Sequence, residues 1–257
     1  MENQNIYLGS VETHVEENIA TITFAHPAHN SLPGKLLAKL QNAIQEADQN
    51  SEVTIIILKS AGERTFCAGA SFDELMSIEA IDTGKTFFMG FANVINACRK
   101  CSKLIIARIQ GKAVGGGVGL AAAADYTIAT KYASIKLSEL AVGIGPFVIG
   151  PAVQRKIGMS AFSQLAIDAT SWQNAHWAKA KGLYTEVFED IEEMDDYLKK
   201  FAFELKNMNP EAMALLKKIF WEGTDDWDQI LEERAAMSGT LVLSAYSKNA
   251  IGKFKKA

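Results

Sequence analysis

Cysteine, histidine and proline are scarce in this sequence, with three, four and five copies in 257 residues, and each scarcity removes a class of protein. Three cysteines are odd in number and too few for a secreted disulfide framework. Cys98 and Cys101 form a C-x-x-C, but no second pair and no H-x3-H follows. The motif also closes an amphipathic helical stretch, where a redox motif would open a helix, so plain burial is expected. His14, His26, His29 and His176 lack metal-ligand spacing, and no metal is expected. No apolar run approaches the roughly 18 residues of a membrane span. Met1 to Gly9 lacks a basic region followed by an apolar one. A cytoplasmic location with no membrane partner is the expectation. Excess charge of one sign is missing too. Twenty-six basic against thirty acidic side chains give −4, which leaves no global field to recruit nucleic acid, and no nucleic-acid partner is expected.

What is present is an ordinary globular composition, 48% apolar and 22% charged, long enough to bury one sizeable core. Residues 7–14 and 19–24 alternate or run apolar, with Glu16-Glu17-Asn18 as a hairpin turn between them. Residues 33–47 show helical spacing through Leu36, Leu37, Leu40 and Ile44. Val53 to Leu58 is an apolar, β-branched run of the kind buried on both faces. A helix over 87–100, a buried strand over 104–110, a small-residue helix over 118–124 and a strand over 126–129 follow. From Gly150 onward the pattern is helical except for residues 184–188, with separate segments at 151–157 and 161–167 and a last one at 241–253. We divide the chain into a core, residues 1–190, and a helical region, residues 191–257, whose apolar stripes suit subunit contacts.

Two turns place small residues where a strand ends and a helix begins: Arg64 to Ser71, and Gly111 to Gly119. Unpaired N–H groups at helix starts carry partial positive charge, and small residues let a ligand approach them. Both turns can donate to one oxygen. A dinucleotide fingerprint starting at Gly115 fails because position 120 is Leu120, and a phosphate loop ending at Gly84-Lys85-Thr86 fails because position 79 is Glu79. On spacing alone, tight packing explains these glycines as well as function does.

The segment from Phe66 through Cys67, Ala68, Gly69, Ala70, Ser71 and Phe72 resembles the first signature of the crotonase, or enoyl-CoA hydratase/isomerase, superfamily. Gly111 to Asp125 resembles its second signature. His26 to Leu32 is similar to its early proline and asparagine motif, and Leu137 to Gly143, with Gln154 and Arg155, to the segment holding its acid. The resemblance implies an α/β fold, a spiral of ββα turns with a C-terminal helical region, assembled as trimers or dimers of trimers. It implies an acyl-CoA thioester substrate, with coenzyme A as part of that substrate and no separate cofactor. It also implies an oxyanion hole from the N–H groups of Ala68 and Gly116, with Gly115 beside it, and Glu139 as acid/base. Backbone around Ala28, Ala70 and Phe72 would bed coenzyme A, and Lys253 and Phe254 would reach a neighbouring subunit's nucleotide. Lys35 and Arg64 are alternative phosphate partners.

One departure matters. The family's hydratases commonly carry a glutamate just after the glycine triplet, where this chain has Gly119. Gly119 is read here as making room for a branched acyl chain or a water. Asp125, the next acid downstream, is expected to be structural. The segment around residues 137–148 resembles bacterial 3-methylglutaconyl-CoA hydratases of leucine breakdown. The expected reaction is therefore hydration of a methylglutaconyl-like enoyl-CoA. A Δ3,Δ2-enoyl-CoA isomerase, a glutaconyl-type decarboxylase and a non-catalytic acyl-CoA binder are the alternatives.

Overall fold

The structure, a computed structural model, describes residues 9–254. Strands β1 (Ser10–Glu16) and β2 (Ile19–Ala25) form the expected hairpin, closed by Glu17 and Asn18 at φ 48° and 67°. Two successive left-handed residues give the turn whose twist matches paired strands. Tyr7 and Leu8, part of the expected first strand, lie outside the described residues.

Helix α1 (Gly34–Gln49) buries Leu36, Leu37, Leu40 and Ile44, the stripe its spacing predicts. Three similar turns follow. Strand β3 (Ile55–Ser60) leads to β4 (Thr65–Cys67), then α2 (Phe72–Ser77) and α3 (Ile81–Lys100). Strand β5 (Leu104–Ile109) leads to β6 (Lys112–Val114) and α4 (Gly116–Ala123). Strand β7 (Tyr126–Thr130) leads to β8 (Ile135–Lys136), a short 3-10 turn at Leu140–Val142 and α5 (Gly150–Ile167). Helix α6 (Ala175–Ala180) and strand β9 (Glu186–Phe188) complete this part. The first strand of each turn joins one sheet, ordered β1-β2-β3-β5-β7-β9, and the second joins another, ordered β4-β6-β8; all pairs beyond the hairpin are parallel. The chain therefore winds as a spiral with neighbouring turns stacked. Stacking is tight enough to dictate sequence: a Cβ on Gly111 would stand 2.2 Å from the Arg64 carbonyl oxygen of the turn before.

Parallel strands inside such a spiral are buried on both faces. Ile56, Leu58, Ile105 and Ala107 face one cluster with α1, α3 and α4. Ile55, Ile57, Ile106 and Ile128 face a second, covered by Met194, Leu198, Ala202 and Leu205 of α7 (Ile191–Lys206) and Met213 of α8 (Pro210–Phe220). Helix α9 (Trp227–Leu241) runs against α3, so close that a Cβ on Gly84 would meet Gly239 Cα at 2.8 Å. Helix α10 (Ala245–Phe254) follows. Residues 191–254 thus pack back onto their own chain. Among the described residues no helix is long and apolar enough to cross a membrane.

Two helix limits differ from the sequence reading. Helix α3 begins at Ile81, six residues early, because the Ala80 N–H donates to Thr83 Oγ1 and starts a turn whose outer face is polar. The two segments expected at 151–157 and 161–167 are, by contrast, both present, separated by Gly158 at φ 75° and ψ 162°. The single helix expected over 241–253 is broken before Ala245, where Ser244 Oγ accepts the Ser247 N–H.

Candidate active site

The first signature turn is built from three directions. Asn30 Nδ2 donates to the carbonyls of Ala61, 2.8 Å, and Thr65, 2.9 Å. Leu32 N–H donates to the Gly69 carbonyl, and Ala68 N–H donates to that of His29 at 3.1 Å. Ser71 then caps α2, its Oγ accepting the Glu74 N–H. Gly69, at φ 85°, reverses the chain; a Cβ there would stand 2.8 Å from the Val114 carbonyl oxygen and 3.5 Å from Gly116 N. That approach brings the two signature turns together.

This corrects one expectation. Ala68 was expected to donate to a substrate oxygen, but its N–H is taken by His29. The left-handed Gly69 reverses the backbone between 68 and 70. No acceptor is assigned to the Ala70 N–H among the described residues. Gly116 is the first residue of α4, where N–H groups have no helical partner. Ala70 and Gly116 are the donor pair the geometry leaves open.

Gly115 takes φ 51° and ψ −115°, a conformation that side chains disfavour. Its N–H donates to the Lys136 carbonyl, which aligns β6 with β8, and a Cβ on it would stand 2.8 Å from Glu139 Oε1. Glu139 opens the 3-10 turn, and its carbonyl accepts from Val142 and Ile144. Its carboxyl is buried; burial pushes its pKa up to about 7, and Oε2 has no hydrogen-bond partner. One cavity is lined by Ala68, Ala70, Phe72, Gly115, Gly116 and Glu139, and it continues between Phe88 and Phe91 of α3 and Phe147, Val148 and Ile149. Three parts of the chain thus meet at one apolar cleft with a single carboxylate among the described residues.

Gly119 does not line that cavity, which corrects the second expectation. A Cβ on Gly119 would stand 2.5 Å from Ile149 Cγ2. The space left by the missing side chain holds Ile149, with no room for an acyl branch or a water. Asp125 is structural as expected: it accepts from Ile105 N–H at 2.8 Å and Trp221 Nε1 at 3.0 Å, and pairs with Lys217 Nζ at 2.9 Å. The thiols of Cys98 and Cys101 are buried and pushed up to about 12 and about 11, which leaves them unreactive.

Ala28 is exposed on the turn at 27–30, beside the first signature but outside the cavity lining. Lys253 is exposed on the last turn of α10 and does not line the cavity either. Phe254 ends that helix, and its side chain lies outside the described residues, as do Lys255 and Lys256. Helix α10 still borders the site: Ser247 Oγ donates to the Gly143 carbonyl, and Lys248 Nζ donates to those of Met76 and Ile78. The sequence reading missed Phe88, Phe91, Ile149 and Ser238 as lining residues. A helical stripe carries no sign of which neighbour it meets.

Comparison with known proteins adds to this geometry. Residues 14–255 match the family model described as enoyl-CoA hydratase/isomerase. A short-chain-enoyl-CoA hydratase of Clostridium acetobutylicum is 30% identical over 250 residues, covering 96% of this chain and 95% of that protein. The mitochondrial methylglutaconyl-CoA hydratase of Mus musculus is 32% identical over 200 residues, covering 76% and 63%. The crystal structure of an enoyl-CoA hydratase from Bacillus halodurans superimposes with a TM-score of 0.87 at 22% identity, over 95% of this chain and 99% of that one. That likeness carries the fold.

Proposed function

The chain belongs to the enoyl-CoA hydratase/isomerase family, and from that membership we propose that it moves a proton along the acyl chain of an enoyl-CoA with Glu139 as the single acid and base. The observation that carries this reading is that, among the described residues, Glu139 is the one carboxylate lining the cavity, while Ile149 fills the space beside Gly119. With the thioester oxygen between the N–H groups of Ala70 and Gly116, Glu139 takes a proton from C2 of a 3-enoyl thioester. The C2–H electron pair moves into the C1–C2 bond, and negative charge develops on the oxygen facing the two donors. Each such donor stabilises the enolate by roughly 2.7–4 kcal/mol. The protonated Glu139 then delivers the same proton to C4, and the double bond shifts from C3–C4 to C2–C3. A carboxyl with a pKa near 7 suits both halves of this transfer.

Hydration is the second reading, supported by the likeness to the Clostridium hydratase over nearly its whole length. Water addition needs a water held by two or more polar groups, and this apolar lining offers few besides Glu139. The test is to supply 3-hexenoyl-CoA and crotonyl-CoA separately to the purified protein. Conversion of the first to the conjugated 2-enoyl thioester, faster than 3-hydroxybutanoyl-CoA forms from the second, is expected. The reverse order would replace isomerisation by hydration, and Glu139→Gln should abolish either.

A further inference from the structure

Two buried side-chain atoms have no hydrogen-bond partner among the described residues, Glu139 Oε2 and Ser238 Oγ. Both belong to residues lining the same cavity. Buried polar groups are almost always paired, and an orphan in a folded protein calls for an explanation. Glu139 has one, since its free oxygen is the proton acceptor. Ser238 has none so far. It is fully buried on α9, next to Gly239, whose close approach to Gly84 and Lys85 fixes that helix against α3. Ser238 is therefore held in the cavity wall that α3 also lines with Phe88 and Phe91, while Glu139 stands against Gly115 beside the N–H donors.

A helical serine commonly bonds back to a carbonyl of the preceding turn. Ser238 does not, so its hydroxyl is left without a partner in the cavity wall. Among the described residues no Lys, Arg or His lines that cavity. Arg234, one turn earlier on α9, is directed to the Phe147 carbonyl at 3.4 Å. A free carboxylate on the acyl chain would thus meet the neutral serines Ser138 and Ser238 and no cation among the described lining residues, with the Glu139 carboxylate in the same cleft. Burying a charge on those terms is strongly unfavourable.

We infer that Ser238 is a specificity-determining residue whose hydroxyl receives a neutral oxygen function, a hydroxyl, keto or ether group, on the acyl chain beyond the thioester. This rests on the cavity being the acyl site of a coenzyme A thioester. It turns the substrate class away from dicarboxylic chains such as methylglutaconyl and towards uncharged ones carrying one distal oxygen.

Binding tests this without depending on turnover. Saturated butanoyl-, pentanoyl- and hexanoyl-CoA, each paired with its counterparts hydroxylated at the last or next-to-last carbon, are titrated calorimetrically into wild type, Ser238→Ala and Ser238→Cys. Glutaryl- and adipoyl-CoA serve as charged controls. At least one hydroxylated thioester is expected to lose about fivefold to tenfold in affinity in both variants. Its unsubstituted partner should keep its affinity or gain, and the charged controls should bind weakly throughout. Equal shifts for hydroxylated and plain thioesters would overturn the role of Ser238 and point to an ordered water as the partner of the hydroxyl. Tighter binding of the dicarboxylic thioesters would overturn the substrate class. Failure of every thioester to bind wild type would instead remove the acyl-CoA reading itself. A lower melting temperature in both variants, with no change in selectivity, would mark Ser238 as purely structural and overturn the inference.

Discussion

Ile149 and Gly119 share one space: a Cβ on the glycine would stand 2.5 Å from Ile149 Cγ2 and 2.8 Å from its Cβ. Helix α4 is buried along its whole length, so neither residue can move aside cheaply. Gly119→Glu should cost about 1–3 kcal/mol in denaturant unfolding through overpacking, with a further penalty for a buried carboxylate. It should add no hydratase activity. Pairing it with Ile149→Ala should recover part of that stability. A Gly119→Glu variant as stable as wild type would show that the space is not shared.

Glu139 should impose a pH profile on catalysis. Burial raises its pKa to about 7, and the base that takes the first proton is the ionised form. The kcat/KM for a 3-enoyl-CoA is expected to rise with pH, reach half its plateau near pH 7 and stay level above. Linkage fixes the sign for stability. The raised value lies above the ordinary one of 4.5, so between the two the folded state holds a proton that the unfolded chain has released. Its contribution to stability is complete below pH 4.5 and lost as pH rises through 7, by up to about 3 kcal/mol. Glu139→Gln should flatten that slope in urea unfolding measured from pH 4 to 8; an unchanged slope would locate the titration elsewhere.

The buried pair of Asp125 and Lys217 should matter to folding more than to chemistry. Asp125 follows the end of α4, and its carboxylate joins β5, α8 and the Trp221 indole. Lys217 Nζ also donates to the Lys103 carbonyl at 2.6 Å. Removing one partner leaves a buried charge uncompensated, and Lys217→Met or Asp125→Asn should each cost about 3–5 kcal/mol. The double variant should cost less than the sum of the singles. Additive losses in the double-variant cycle would show that the two do not act as a pair.

The strands and the long amphipathic helices were legible because burial imposes a period: Ile55 to Leu58 reads as a doubly covered strand, and Leu36, Leu37, Leu40 and Ile44 as one helix face. Both signature turns were visible as small residues at strand-to-helix junctions. Which N–H groups stay free was not, because the hydrogen bond from Ala68 to His29 depends on how a loop nearly forty residues earlier folds across the turn. Ile149 in the space beside Gly119, and Ser238 in the cavity wall, are likewise long-range packing events. A glycine reports that something is close, without saying what.

Helix α8 carries the last expectation. It turns Met213 and Lys217 inward, and at the complementary helical positions it exposes Leu215, Leu216, Ile219 and Phe220, each between 45% and 57% accessible. Four adjacent apolar side chains on one exposed face mark an association surface. A second copy of the chain is the occupant expected, in keeping with the trimers or dimers of trimers that the sequence resemblance implies. Wild type should sediment as an oligomer at micromolar concentration. Leu216→Glu with Ile219→Glu should sediment as a smaller species with an unchanged circular dichroism spectrum, because neither side chain belongs to the core of its own chain. A wild type that sediments as a monomer, or a double variant that keeps the assembly, would place the subunit contact elsewhere on the molecule.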